Sequence, residues 1–93
     1  MVRILLVDDE PFIVQGLKAM IELENPKYRI VGEASDGKEA LEFLKREKVD
    51  LIIADVQMPV MSGLELLETI RKEKISDAYF MVLSGYSDFQ YAQ

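Results

Sequence analysis

Residues 4–9 read ILLVDD, so an unbroken apolar run ends on two adjacent carboxylates. A short apolar run without polar alternation is typical of a strand that is buried on both faces of a parallel sheet. A second run of this kind, LIIAD, occupies residues 51–55 and ends on Asp55. The two segments predict neighbouring elements of one parallel sheet, each followed by acidic residues.

The rest of the chain fits around these runs as an alternation of strands and helices. Further apolar segments surround Ile30 and span residues 79–83, and the stretches between the four runs place apolar residues at helical spacing. The residues expected on the buried helix faces are Ile13, Leu17, Ile21, Ala40, Leu41, Leu44, Gly63, Leu66, Leu67 and Ile70, and Leu64 is also expected in the core.

Turn and capping residues agree with this division. Pro11 suits the first turn of a helix, Asn25-Pro26 ends that helix, and Asp36-Gly37 and Ser62-Gly63 precede the next two. The predicted order is β-α-β-α-β-α-β, with a further helix beginning near Asp88. Such alternation predicts an α/β domain in which a parallel sheet is covered by helices on both faces.

Composition excludes several classes of function. The 93 residues allow one domain, 1–93, and the net charge of -6 with scattered basic residues argues against a nucleic-acid surface in this segment. The chain has no cysteine and no histidine, which excludes disulfides, thiolate chemistry and imidazole catalysis. The initial apolar run is too short to span a membrane, so we expect a cytoplasmic protein.

Polar residues cluster where the predicted strands end. In an open parallel sheet, ligands bind beyond the carboxyl ends of the strands, where we expect Asp8, Asp9, Asp55 and Ser84. If the first and third strands are neighbours, three carboxylates converge, raise one another's pKa and favour a shared cation, for which oxygen ligands suggest Mg²⁺. A carboxylate such as Asp55 beside that ion could attack phosphorus, and the Ser84 hydroxyl could donate a hydrogen bond to the phosphoryl group.

Simpler interpretations of the same residues remain open. Asp8 and Asp9 could cap the following helix, Asp55 could begin a turn, and Ser84 before Gly85 could be a turn residue. The chain would then be an α/β module that binds partners without phosphoryl chemistry. A Mg²⁺-dependent phosphohydrolase with an aspartyl nucleophile is a further alternative, disfavoured because such enzymes place an Asp-x-Asp pattern, not adjacent acids, after the first strand.

Three segments together resemble the receiver domains of bacterial two-component response regulators: VDDEP at 7–11, DVQMPVMSG at 55–63 and LSGY at 83–86. The resemblance implies a flavodoxin-like (CheY-like) doubly wound parallel sheet with strand order 2-1-3-4. It makes Asp55 the phosphoacceptor and Ser84 the switch hydroxyl. Mg²⁺ would be held by Asp8, Asp9, Asp55 and the backbone carbonyl of Gln57, with the Gln57 and Tyr86 side chains tuning the lifetime of the acyl phosphate.

The resemblance also implies partners. The phosphoryl donor would be a phosphohistidine on a sensor histidine kinase, and the domain would be a switch whose only chemistry is its own phosphorylation and dephosphorylation. Residues 85–93 are similar to those of regulators with an AraC-type DNA-binding output domain, so DNA would be contacted by a domain outside this segment.

The family pattern extends beyond residue 93, through a fourth helix, a fifth strand bearing a lysine and a switch aromatic residue, and a fifth helix. We therefore expect an incomplete receiver domain without the fifth strand and fifth helix. Its fourth strand, residues 79–83, would be an exposed apolar edge through which the chain could self-associate.

Overall fold

Four parallel strands form one sheet in the order β2-β1-β3-β4 in a computed structural model that describes residues 1–56 and 61–83. This order and the alternation of strands and helices confirm the predicted fold. The elements are β1 Val2–Val7, α1 Pro11–Glu24, β2 Tyr28–Ala34, α2 Gly37–Arg46, β3 Leu51–Asp55, α3 Gly63–Lys72 and β4 Tyr79–Leu83.

The register of the central strands aligns the two acidic segments. Ile4 pairs with Leu51 and Val7 pairs with Ala54, so β1 and β3 end level with each other. The chain passes from β2 at one edge across β1 to β3, and the direction of winding therefore reverses between β1 and β3. This reversal opens the crevice in which α/β proteins of this type bind ligands.

The two faces of the sheet are covered by different helices. On one face, α2 and α3 bury Ala40, Leu44, Leu66 and Ile70 in a core cluster with residues of β1 and β3. On the other face, α1 contributes Val14 to a smaller cluster. Because β1 and β3 lie between the two layers, their apolar runs are buried on both sides, whereas β2 and β4 at the sheet edges expose part of their length.

Local capping fixes where two of the helices begin. The Asp36 carboxylate accepts a hydrogen bond from the Glu39 N–H at 2.8 Å at the start of α2. At the start of α3, Ser62 and Glu65 form a reciprocal capping box. These caps confirm the helix starts expected from Asp36-Gly37 and Ser62-Gly63.

Two expectations about helix faces were wrong. Leu64 is 57% exposed, because at about 100° per residue it lies roughly a quarter turn or more from the buried positions Gly63, Leu66 and Ile70. In α1 the buried residue is Val14, whereas Ile13 is 45% exposed. An apolar residue next to a buried stripe cannot be assigned from spacing alone when the helix axis is free to rotate on the sheet.

Several predicted residues lie outside the described part of the chain. They are Gln57, Ser84 and Tyr86, together with the helix expected from Asp88. Within residues 1–56 and 61–83, no helix combines the length and apolarity that crossing a membrane requires.

Candidate functional site

Three of the predicted carboxylates meet at the carboxyl ends of the central strands. Asp8, directly after β1, its neighbour Asp9, and Asp55 at the end of β3 each offer a carboxylate oxygen within 4.8 Å of the others. The pairing of Val7 with Ala54 explains the convergence, since Asp8 and Asp55 are the next residues along the two chains and therefore lie at the same height. The structure thus brings together all three acidic residues expected at this position.

Asp8 is the most buried member of the cluster, with 8% of its surface exposed. Its carboxylate oxygen Oδ1 accepts a hydrogen bond from the Glu10 N–H at 2.9 Å. Burial raises the pKa of Asp8 above the ordinary aspartate value. The Glu10 N–H opposes that rise, and the charges of Asp55, Asp9 and Glu10 add to it. The metal-free site therefore resists holding all of its carboxylates ionised.

The capping interpretation of this acidic pair does not match the start of α1. The N-cap residue of α1 is Glu10, and its side chain makes no capping hydrogen bond. The N–H that Asp8 accepts belongs to the N-cap residue itself and not to the second or third helical residue, where a cap would bind. Asp8 thus orders the turn between β1 and α1, and the pair is free of a helix-capping role.

Gly63 is a residue of the site that the sequence interpretation missed. A Cβ atom at Gly63 would fall on the backbone carbonyl oxygen of Asp55 and crowd Val56. The Gly63 N–H donates to the Val56 carbonyl at 2.9 Å, so the start of α3 lies directly against the end of β3. The sequence had placed Gly63 only at a helix start and on the buried face of that helix, because nothing local shows that the backbone at the end of β3 approaches there.

The backbone on the far side of Asp55 is fixed as well. Asp55 pairs with Leu83 in the β3–β4 register, and the Val56 N–H donates to the Leu83 carbonyl at 2.8 Å, which carries the pairing one residue past the strand end. Asp55 is half-buried between these neighbours. The acidic side chain that terminates β3 is consequently presented from a rigid backbone.

The donor set suits a hard divalent cation. The three converging groups are all carboxylates, and the chain supplies neither histidine nor cysteine. Mg²⁺ prefers oxygen ligands and commonly takes a few carboxylates while leaving positions for water and for phosphate oxygens. The raised pKa of Asp8 agrees with this assignment, since a cation among the carboxylates would offset their mutual repulsion.

Comparison with known proteins gives consistent results. Residues 4–93 match the response regulator receiver domain family. The transcriptional regulatory protein YesN of Bacillus subtilis is 40% identical over 93 residues, which are 100% of this chain and 25% of YesN. The chain therefore spans about a quarter of that relative's length.

Solved structures show the same fold. The response regulator TrrA of Thermotoga maritima, in complex with Mg²⁺-BeF, is 44% identical with a TM-score of 0.79, over 97% of this chain and 75% of that one. TrrA in complex with the histidine kinase ThkA gives 44% identity and a TM-score of 0.78, over 97% of this chain and 74% of that one. With the sheet order, the acidic cluster and the family match in agreement, the chain belongs to the response regulator receiver domain family.

Proposed function

We propose that this chain is the phosphoacceptor of a two-component system and that Asp55 takes a phosphoryl group from a phosphohistidine of a sensor kinase. The observation that carries the proposal is the convergence of Asp8, Asp9 and Asp55 within 4.8 Å at the winding reversal of the sheet. Asp55 is the acceptor because it alone of the three ends the second central strand, held from both sides by backbone contacts.

Each residue of the site has a separate role in phosphoryl transfer. Asp55 attacks phosphorus through a carboxylate oxygen as the P–N bond to the donor imidazole breaks. A proton taken from solvent by the other ring nitrogen lets the ring leave as neutral imidazole. Asp8 and Asp9, with Asp55, would hold Mg²⁺, which supplies positive charge beside the transferring phosphoryl oxygens. The Gln57 carbonyl as a further ligand and the Ser84 hydroxyl as a phosphoryl contact belong to the same proposal, on residues that the structure does not describe.

The reverse step uses the same groups. Water attack on the acyl phosphate would release inorganic phosphate and regenerate the Asp55 carboxylate, so the domain returns to its starting state. On this proposal the chain is a switch that turns over its own modification and no external substrate. The complex of Mg²⁺-BeF with TrrA, 44% identical to this chain, supports a metal-dependent phosphoryl site.

The surface of α1 supports a protein as donor. Phe12 is 90% exposed and Leu23 is 86% exposed, and together with Met20 they form an apolar stripe on the side of α1 opposite Val14. The stripe begins three residues after Asp9, next to the acidic cluster. An exposed apolar stripe of this kind is a common docking surface for another helix, and TrrA has been solved in complex with a histidine kinase.

The relative YesN suggests what kind of output the switch controls. The relative YesN is a transcriptional regulatory protein of which this chain spans 25%. We propose that phosphorylation is relayed to a DNA-binding domain, of AraC type by the resemblance of residues 85–93, and that the protein acts in the cytoplasm, where the donor kinase presents its phosphohistidine.

Incubation with a small acyl phosphate and Mg²⁺, followed by intact mass measurement, tests the proposal. The expected result is a single phosphoryl adduct that requires Mg²⁺ and is absent from Asp55→Asn. Asp50→Asn is the matched control, because Asp50 is also an aspartate beside β3 but lies at the opposite end of the strand, where its carboxylate accepts from the Arg3 N–H.

The outcomes are distinct. An adduct retained in Asp55→Asn, or one formed equally well in EDTA, would contradict the assignment of acceptor or metal. Retention of the adduct in Ser84→Ala would agree with Ser84 as a contact and not an acceptor. Steady turnover of a phosphomonoester with label on Asp8 would instead establish the phosphohydrolase alternative.

A further inference from the structure

A basic groove lies at the end of the molecule opposite the acidic cluster. It runs between the carboxyl ends of α2 and α3, beside the segments that lead into β3 and β4, and has a volume of about 730 Å³. Five cations line it, in a chain whose net charge is -6: Lys45, Arg46, Lys48, Arg71 and Lys74. We call this feature the basic groove.

The two acids at the groove do not neutralise these cations. Glu47 is already paired with Arg3 outside the cluster, at 3.1 Å. Asp77 makes no ion pair with any residue of the described ranges. Among those same residues, the ammonium groups of Lys45, Lys48 and Lys74 also have no ion-pair partner, so the groove carries a net positive charge toward solvent.

Helix stabilisation explains part of this cluster. Cations in the last turn of a helix offset the negative end of its dipole, which accounts for Lys45 and Arg46 in α2 and for Arg71 in α3. Arg71 also donates to the carbonyls of Ser76 and Ala78 and so fixes the chain that enters β4. Lys48 and Lys74 follow the helix ends, and this explanation does not cover them.

Lys74 occupies a backbone position that favours glycine. Its φ is 53°, and among the described residues it is the one non-glycine residue with positive φ. The Ile75 N–H donates to the Ile70 carbonyl at 3.0 Å and the Lys74 N–H to the Arg71 carbonyl at 3.3 Å, the pattern of a Schellman helix end. Glycine is the usual residue at this left-handed position, so a lysine there weakens the fold and indicates a use for its side chain.

The shape of the groove favours a peptide over a single small anion. The cations are spread along two helix ends, with Lys45, Arg46 and Lys48 at the end of α2 and Arg71 and Lys74 at the end of α3, whereas the cations of a phosphate site converge on one group. The walls also include the half-buried Ile75, so an apolar side chain is accessible among the charged ones. Carboxylates spaced along a chain, with an apolar side chain between them, match this surface.

We propose that the basic groove binds a peptide segment of a protein partner that carries acidic and apolar side chains, and that Lys48 and Lys74 contact its carboxylates. The site is separate from the acidic cluster at the other end of the sheet. Docking there leaves Asp55 accessible, so it is compatible with phosphorylation and does not depend on it.

Fluorescence anisotropy with the whole chain and a labelled synthetic peptide of alternating Glu and Leu tests the proposal. We expect saturable binding that weakens as salt is raised, because the contacts are exposed charges. The double variant Lys48→Gln/Lys74→Gly should weaken binding about five-fold or more, since two cations that face the peptide are lost. Lys38→Gln is the matched control, because Lys38 is an exposed lysine at the opposite end of α2.

A stability measurement separates recognition from folding. Lys74→Gly alone should weaken peptide binding while raising the melting temperature by roughly 4 °C, because glycine relieves the left-handed conformation. Lys74→Asn, which also tolerates that conformation, should weaken binding similarly. A lower melting temperature in Lys74→Gly would overturn the argument that Lys74 is kept for recognition.

Three binding results would also overturn the proposal. They are the absence of saturable peptide binding at low salt, equal weakening by Lys38→Gln, and saturable binding of inorganic phosphate alone. The last result would assign the basic groove to a small anion.

Discussion

Replacing Asp8 with Asn should stabilise the metal-free protein, although Asp8 is the most buried acidic residue described. The substitution removes a charge but keeps an oxygen that can accept the hydrogen bond from the Glu10 N–H. It thereby isolates the electrostatic effect from the loss of the turn between β1 and α1.

The structure sets the size of the effect. Oxygens of Asp8, Asp9 and Asp55 lie within 4.8 Å, and the variant removes two of the three repulsive pairs. At that separation one pair is worth roughly 1 kcal/mol in a water-like dielectric and roughly 3 kcal/mol at an effective dielectric of about 20. Since Asp9 is exposed and screened, we expect a total gain of about 1–3 kcal/mol, or roughly 4 °C or more in melting temperature.

The sign of the pH dependence follows from the raised pKa of Asp8. The folded protein binds this proton more tightly than the unfolded chain, so metal-free stability falls as pH rises from the unfolded aspartate pKa through the raised folded value. Asp8→Asn should lack this part of the decline. Addition of Mg²⁺ at about 1,000 times its Kd should reverse the ranking, since it stabilises the wild type by about 4.1 kcal/mol and the variant would bind it weakly.

Thermal melts in EDTA and in Mg²⁺, from about pH 4 to about pH 8, measure all three effects. Asp50→Asn is the control, because Asp50 also accepts a backbone hydrogen bond but lies at the opposite end of the sheet from the acidic cluster. A lower melting temperature for Asp8→Asn than for wild type in EDTA at neutral pH, or an equal gain in Asp50→Asn, would refute repulsion among the three carboxylates as the cause.

Further substitutions test the packing around the site and the sheet edge. Gly63→Ala should lower the free energy of unfolding, measured by chemical denaturation, by roughly 3 kcal/mol or more, because the new Cβ meets the Asp55 carbonyl. In the control Gly16→Ala the new Cβ meets nothing within 4 Å, so the higher helix propensity of alanine should raise that free energy by about 0.5–1 kcal/mol. Ser62→Ala should cost about 1 kcal/mol by removing the cap of α3, measured in the same denaturation. If the wild type self-associates through β4, Met81→Lys should reduce that association in light scattering at rising concentration, because Met81 is a 44% exposed residue of β4. A wild type that stays monomeric at high concentration would contradict self-association through this strand.

Features that depend on neighbouring residues could be predicted from the sequence. The apolar runs at 4–7 and 51–54 became the buried central strands, and Asp36 and Ser62 became helix caps as their types indicated. The acids after those runs were identified as a cluster because parallel strands share a carboxyl edge. The strand order itself came from the resemblance of the chain to a family and not from any local pattern.

Tertiary contacts decided the remaining features. Whether Leu64 faces the core or solvent depends on how α3 is rotated against the sheet, and the constraint on Gly63 comes from the backbone of another element. The basic groove exists only because two helix ends, far apart in sequence, meet at one side of the sheet. The helices, the strands and the acidic residues at the strand ends could be identified from the sequence, because propensity and periodicity act between near neighbours. The distances between the carboxylates and the shape of the surfaces depend on packing, which brings together residues that are far apart in the sequence.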